Sequence, residues 1–417
     1  MSSSKISTDE SSETTPTQPS AKAQISFIVS LSGVFRGYLN GVSDILPISV
    51  SQVVEVGVKF ISGLVLALVG VKMNFDLSCV SAMTVMGVSL GSFLSTIYLY
   101  TCIKKREKIF NIRQKNRCEG FDKEVLKRIL VISFPIVLSS AIIGISNIID
   151  LGIIMRRLST IGYTEVEANA LYGNYTTLVM PMLNFITALV SPISVAALPM
   201  ISGAFYLKQR DLLVKNSKFL IGVTSFICIP ISFIFLMFSE EILTLLFNDN
   251  SALIASPLLK LLTPSMIFLP LLTLINTILE ATENAKLPII SMSIAAVLKF
   301  LVSYFMIGNE KIGILGAPIG TSVSYGTALI VSVVLLFAKT KIDISFLSGV
   351  FKPLLTSFIS VFTARCLYIS IPEKEKNIAF LFVSFAVGML FYILLSFLFG
   401  IFSEKSIKEL SKLPKKS

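Results

Sequence analysis

Residues 46–71 read LPISVSQVVEVGVKFISGLVLALVGV, and only Glu55 and Lys59 among them are charged. A helix of ~20 such residues, rising 1.5 Å each, crosses ~30 Å of hydrocarbon. In lipid no water is available to the peptide groups, so the segment must satisfy them internally, as a helix does. The pattern recurs on both sides of it. Apolar spans at 25–39, 50–71, 78–103, 129–154, 172–201, 219–238, 258–282, 288–307, 314–338, 353–371 and 378–402 give eleven membrane helices. The whole chain agrees: of 417 residues 53% are hydrophobic and 15% charged, where a soluble domain carries ~25% charged. The expected class is an all-α polytopic membrane protein. Its fifth span carries Pro181, Pro192 and Pro199, which are expected to kink it and are hinge candidates.

Composition also removes chemistry. The chain has no histidine and no tryptophan, which excludes imidazole acid–base catalysis, the Ser-His-Asp triad and His-ligated metals. Five dispersed cysteines with no C-x-x-C argue against a disulfide framework or thiolate metal site. No Walker A pattern is present, so ATP is not expected to drive any transport directly. We expect no enzyme activity, no cofactor and no metal.

The net charge of +11 is explained by topology. Of 36 Lys and Arg residues, 24 fall on one set of alternate sides of the eleven spans. They include Arg36, ten residues of 104–128 and five of the C-terminal tail. That side is expected to be cytoplasmic, with the C-terminus inside. The basic 104–128 stretch would also be drawn to anionic membrane lipids, and no nucleic-acid partner is needed. The expected organisation is a disordered Ser/Thr-rich tail (1–24), a partial N-terminal lobe of three helices (25–103) and a basic cytoplasmic loop (104–128). A six-helix C-terminal lobe (129–338), two additional helices (339–402) and a basic cytoplasmic tail (403–417) follow. The first residues lack a basic n-region and a small-residue cleavage site, so no signal peptide is expected.

LPISVSQVVEVGVKF, ending at Phe60, resembles LPIISMSIAAVLKF, ending at Phe300, and Val88-Ser89-Leu90-Gly91 aligns with Val323-Ser324-Tyr325-Gly326. Six spans separate the copies, so both point the same way through the membrane, the parallel type of transporter repeat. Three helices precede the second copy in its own half that have no counterpart before the first. The first lobe is therefore expected to be truncated, through a misassigned start or a shortened descendant.

The stretch VFRGYLNGVSDILPISVSQVVEVGVKFISGLVLA (34–67) resembles the fourth and fifth helices of stage V sporulation protein B-like polysaccharide transporters. These belong to the multidrug/oligosaccharidyl-lipid/polysaccharide exporter superfamily, which includes lipid II flippases. The matching positions are Arg36, Gly37, Tyr38, Gly41, Pro47, Ser51, Gln52, Val53 and Glu55. Phe134-Pro135, SNIID at 146–150 and Arg156-Arg157 are similar to the family's seventh helix and its exit. LYGNYTTLVMPMLNFITAL (171–189) is similar to its eighth. The resemblance implies two lobes around a central cavity with two further C-terminal helices. It implies a cell-membrane flippase that moves an anionic lipid-linked oligosaccharide or peptidoglycan precursor by alternating access. Cell-envelope synthesis proteins are the implied partners.

Charged side chains at helix centres cost ~2.5–3.5 kcal/mol on insertion scales and normally face the bundle interior or water. Glu55 and Lys59 share one helix face, and Lys299 occupies the matching place in the second copy. Either the two lysines attract a diphosphate headgroup from pseudosymmetric helices, or Glu55 and Lys59 merely neutralise each other. Asn147 and Asp150 share a face that the span places near its outer end, as a gate, an ion site or an interfacial cluster with Arg156-Arg157. Arg36, at the inner mouth, either attracts phosphate or snorkels as an anchor. Asn184 can bond sugar hydroxyls or another helix. Glu280 is expected to be a solvated cap, and Arg365 to be structural, snorkelling outward. Gly37–Gly41 and Gly87–Gly91 match the G-x-x-x-G packing motif. Other readings remain: a drug/cation antiporter of the same fold, disfavoured by the mostly basic mid-membrane charges, or a non-transporting truncated remnant.

Overall fold

The computed structural model describes residues 17–42, 44–109, 123–247, 249–340, 347–371 and 378–400. Among them the chain is helical and contains no strand: α1 (Thr17–Gly41), α2 (Ile45–Lys72), α3 (Leu77–Ile109), α4 (Lys123–Thr160), α5 (Glu165–Asn174), α6 (Met180–Tyr206), α7 (Arg210–Met237), α8 (Ser239–Leu246), α9 (Asp249–Ala281), α10 (Leu287–Ile307), α11 (Gly316–Thr340), α12 (Leu347–Ile369) and α13 (Ile378–Leu398). Each of the eleven expected spans overlaps one of these helices, the last running beyond α13 to residues outside those described. Nine described segments are long and apolar enough to cross a membrane.

Several boundaries move. Helix α1 begins at Thr17, inside the stretch expected to be a tail through residue 24. Helices α3 and α4 extend into the basic 104–128 stretch, to Ile109 and from Lys123. The chain forms two compact units that divide within that stretch, residues 1–120 and 121–417.

In the first unit α2 packs along α3, and α1 lies on α3. Glycine sets the α2–α3 spacing. A Cβ on Gly87 would stand 2.6 Å from the Gly63 nitrogen. A Cβ on Gly37 or Gly41 would meet nothing within 4 Å, so the first G-x-x-x-G packs against nothing described. The unit buries few large side chains, Leu39, Ile48 and Leu99, but many hydroxyls: Ser32, Ser51, Ser92, Ser95 and Thr96.

The second unit is built around α9. This helix contacts α6, α7, α8 and α11, and its Leu258, Leu259, Leu262, Met266, Ile275 and Ile278 are fully buried. Helix α10 packs between α4 and α11, while α12 joins α7 to α13. The two sequence repeats therefore correspond to adjacent helix pairs, α2–α3 and α10–α11. Interhelical hydroxyl bonds fix the second pair: Ser324 Oγ donates to the Ala295 carbonyl at 3.1 Å.

A Thr164–Glu167 capping box starts α5. The rod then runs through a π turn, Tyr175–Val179, into α6. Pro181 has no N–H to return to the preceding turn, and the wide turn sits immediately before it. Met180 N–H reaches back five residues to the Tyr175 carbonyl. Thr176 and Thr177 donate their hydroxyls to the Tyr172 and Gly173 carbonyls at 2.9 and 2.6 Å. Pro192 and Pro199 lie inside α6. At the other end of this unit α6 and α9 stop on non-glycine residues with positive φ, Lys208 at 53° and Glu283 at 63°. Such a conformation costs a side-chain-bearing residue ~1–3 kcal/mol.

Candidate functional site

Each unit holds a charged cluster within its membrane helices, around Glu55 in the first and around Lys299 in the second. In the first unit Glu55, ten residues and ~15 Å into α2, is the acceptor for three helices. Its Oε2 takes a bond from Arg36 Nη2 of α1 at 2.5 Å. Its Oε1 takes bonds from Lys59 Nζ at 2.6 Å and Ser92 Oγ of α3 at 3.3 Å. Arg36 also donates to Ser95 Oγ at 3.3 Å, and Ser95 donates to the Ser51 carbonyl at 3.1 Å. The local sequence explains the geometry. Residues 55 and 59 are one turn apart, Ser92 and Ser95 share a face of α3, and Gly91 has no side chain to hold α3 away. A Cβ at Gly91 would stand 2.8 Å from the Glu55 carbonyl oxygen and 2.9 Å from the Lys59 nitrogen.

The Glu55–Lys59 pair expected from spacing therefore forms, but it is not self-neutralising. Arg36 shares the same carboxylate, so two cations face one anion and a positive charge is left over. The Arg36 Nε is buried with no hydrogen-bond partner among the described residues. The side chains of Arg36 and Lys59 remain 26% and 32% exposed. Arg36 thus belongs to the mid-helix cluster rather than to an isolated anchor.

In the second unit Lys299 of α10 forms an ion pair with Asp150 of α4. Lys299 is 4% exposed. It has no carboxylate on its own helix one turn away, and α4 supplies one. Tyr172, Tyr175 and Tyr325 lie within electrostatic reach of Asp150, and the buried Tyr175 hydroxyl is 3.2 Å from Thr321 Oγ1. Asp150 is not at the outer end of its helix. Helix α4 continues ten residues beyond it, because Arg157 does not terminate the helix but is absorbed by α10. Its Nε donates to the Tyr304 carbonyl at 3.1 Å and its guanidinium stands 4.2 Å from the Tyr304 ring centroid. Arg156 is exposed. The Asn147 side chain lies outside the described residues.

The other candidates are dispersed. Asn184 is exposed on α6 and makes no hydrogen bond among the described residues. Pro181 is exposed beside the π turn, and Pro192 and Pro199 are half-buried. Arg365 is structural, but it pairs with Glu241 of α8 and stands 5.1 Å from the Phe238 ring instead of reaching outward alone. Glu241, Ser92, Ser95 and the tyrosines around Asp150 are not singled out by the sequence. Ser92, Ser95 and Thr96, spaced three and four apart in an apolar helix, carry the one periodic signal that marks a polar face.

Two adjacent-helix pairs that match the internal repeat, each with a lysine paired to a carboxylate at mid-helix, lie within an all-helical, multi-pass membrane protein. The chain belongs to the lipid II flippase MurJ family, whose model matches residues 10–374. It is 21% identical over 295 residues to stage V sporulation protein B of Bacillus subtilis (strain 168), covering 70% of this chain and 55% of that protein. Sporulation protein YkvU of the same organism is 26% identical over 241 residues, covering 58% of this chain and 52% of that protein. The chain thus spans about half the length of the curated relatives it matches. A solved structure of lipid II flippase MurJ in an inward closed conformation matches with a TM-score of 0.58 and 17% identity, covering 91% of this chain and 73% of that one.

Proposed function

We propose that this protein moves a lipid-linked saccharide precursor with an anionic diphosphate headgroup across the cytoplasmic membrane. The observation that carries the proposal is the shared carboxylate of Glu55. Arg36 and Lys59 both bond it, so a net positive charge sits at the middle of a membrane helix. Such a charge is costly in lipid and is kept where it meets water or an anion. Family membership supplies the cargo class, which enzymes of cell-envelope synthesis would supply. The Lys299–Asp150 pair carries no net charge, so headgroup attraction is assigned to Arg36 and Lys59, and the second pair to positioning α4 against α10. Pro181, Pro192 and Pro199, with the π turn before them, are the hinge candidates. The Lys/Arg asymmetry supports a cytoplasmic C-terminus. No covalent step is involved, so the protein acts as a transporter rather than an enzyme.

The test is reconstitution in liposomes with a fluorescent polyprenyl-diphosphate disaccharide, scored by its protection from an impermeant quencher. Protein-dependent equilibration between leaflets is expected. Equilibration no faster than in protein-free liposomes overturns the proposal.

A further inference from the structure

A cavity of about 510 Å³ opens at the end of the second unit where α6 turns into α7, α9 turns into α10, and α11 finishes. Its size lies in the ~300–1,000 Å³ range of small-ligand sites. Three cationic residues line it, Lys208, Arg210 and Lys339, against the single carboxylate of Glu283. The other polar groups on its wall are turned onto one another. Tyr206 donates its hydroxyl to Glu283 Oε1 at 2.9 Å, Asn284 Nδ2 donates to the Thr282 carbonyl at 2.8 Å, and Thr282 Oγ1 donates to the Ile278 carbonyl at 3.0 Å. The lining therefore sets three cationic side chains against one carboxylate, which already accepts the Tyr206 hydroxyl. Phe205 and Leu213 add an apolar flank.

The backbone gives a second, independent observation. Three non-glycine residues among those described have positive φ: Asn74, Lys208 and Glu283. Asparagine tolerates that region; lysine and glutamate adopt it less readily. Both strained residues line this cavity, one from each helix end, where glycine would be the more stable choice. Unfavourable backbone conformations cluster at ligand sites, held there by the surrounding structure.

We infer that this cavity binds a phosphate ester, and the apolar flank favours the headgroup of an anionic phospholipid. Basic pockets between membrane helices take such headgroups on the cytoplasmic side, the side to which the Lys/Arg asymmetry assigns this end. The inference is separate from translocation: neither Lys208 nor Lys339 belongs to the cluster proposed to meet the cargo.

The experiment uses the full chain in uncharged detergent, following thermal loss of helical circular dichroism. The probes are phosphatidylglycerol, phosphatidylcholine and soluble glycerol phosphate. Phosphatidylglycerol is expected to raise the midpoint of the wild-type protein and phosphatidylcholine is not. Lys208→Gly relieves a positive φ, so its midpoint without lipid should equal or exceed that of wild type. Yet it should need about fivefold more phosphatidylglycerol for the same shift, the factor that one cation contributes near a lipid surface. Lys339→Gln should behave alike in its lipid response. A response to glycerol phosphate that these variants weaken keeps the phosphate site and makes its source soluble. Equal responses in wild type and both variants, or no response to either phosphate, overturn the inference.

Discussion

Lys299 on α10 is neutralised by Asp150 on α4, whereas its repeat counterpart Lys59 draws on Glu55 of its own helix. The position equivalent to Glu55 in the second copy is Ala295, so the second lysine must take its carboxylate from a neighbouring helix. The first pair leaves room for Arg36 and an excess charge. The second is closed, with side chains 5% and 15% exposed. Removing one partner from a buried pair strands the other. Lys299→Met should therefore lower stability by about 3–5 kcal/mol. Adding Asp150→Asn should recover most of the loss. Denaturation of both proteins in the same detergent checks this, and a double variant no more stable than the single one would disprove the pairing.

The same logic applies at the α4–α10 contact. A Cβ on Gly308 would run into the Arg157 guanidinium. Gly308→Ala should swing the flexible guanidinium aside and cost about 0.5–1.5 kcal/mol, the worth of the Arg157–Tyr304 hydrogen bond it displaces. In an Arg157→Ala background it should cost much less. A double-mutant cycle reads the difference; equal costs in both backgrounds would mean that Arg157 does not lie over Gly308.

Gly91 couples packing to the charged cluster in the first unit. Gly91→Val should separate α2 from α3, lowering stability by about 1–3 kcal/mol. It should also weaken transport, because Ser92 and Ser95 move with α3. Loss of both properties is expected, and full retention of transport would detach the cluster from α3.

Topology gives a further outcome. Lys311, in the α10–α11 turn, and Lys208, in the α6–α7 turn, are both exposed. With native cysteines replaced, Lys311→Cys should react with an impermeant maleimide in intact cells, and Lys208→Cys only after lysis. The reverse pattern would invert the proposed orientation.

Much of this is readable in the sequence because lipid imposes one rule on every spanning segment. Each expected span overlaps a helix, and the Glu55–Lys59 pair follows from i,i+4 spacing alone. Partnerships across helices are not readable. Nothing near Lys299 in sequence points to Asp150, 149 positions earlier, nor near Arg365 to Glu241. The depth of Asp150 is hidden because Arg156-Arg157 resembles a membrane boundary, while Tyr304 supplies a carbonyl and a ring that let α4 continue. The end of α1 shows a similar limit: Gly37 and Gly41 carry a packing motif, yet the close contacts fall at Gly87 and Gly91.

The central claim is that the cations sharing Glu55 attract the cargo headgroup. The most direct measurement is the translocation rate of a polyprenyl-diphosphate disaccharide in liposomes holding Arg36→Gln/Lys59→Gln, beside liposomes holding Lys299→Met/Asp150→Asn. The account predicts about a tenfold or greater loss in the first, equivalent to ~1.4 kcal/mol or more of lost attraction, and a rate near wild type in the second. An unchanged rate in the first, with insertion verified, would contradict it.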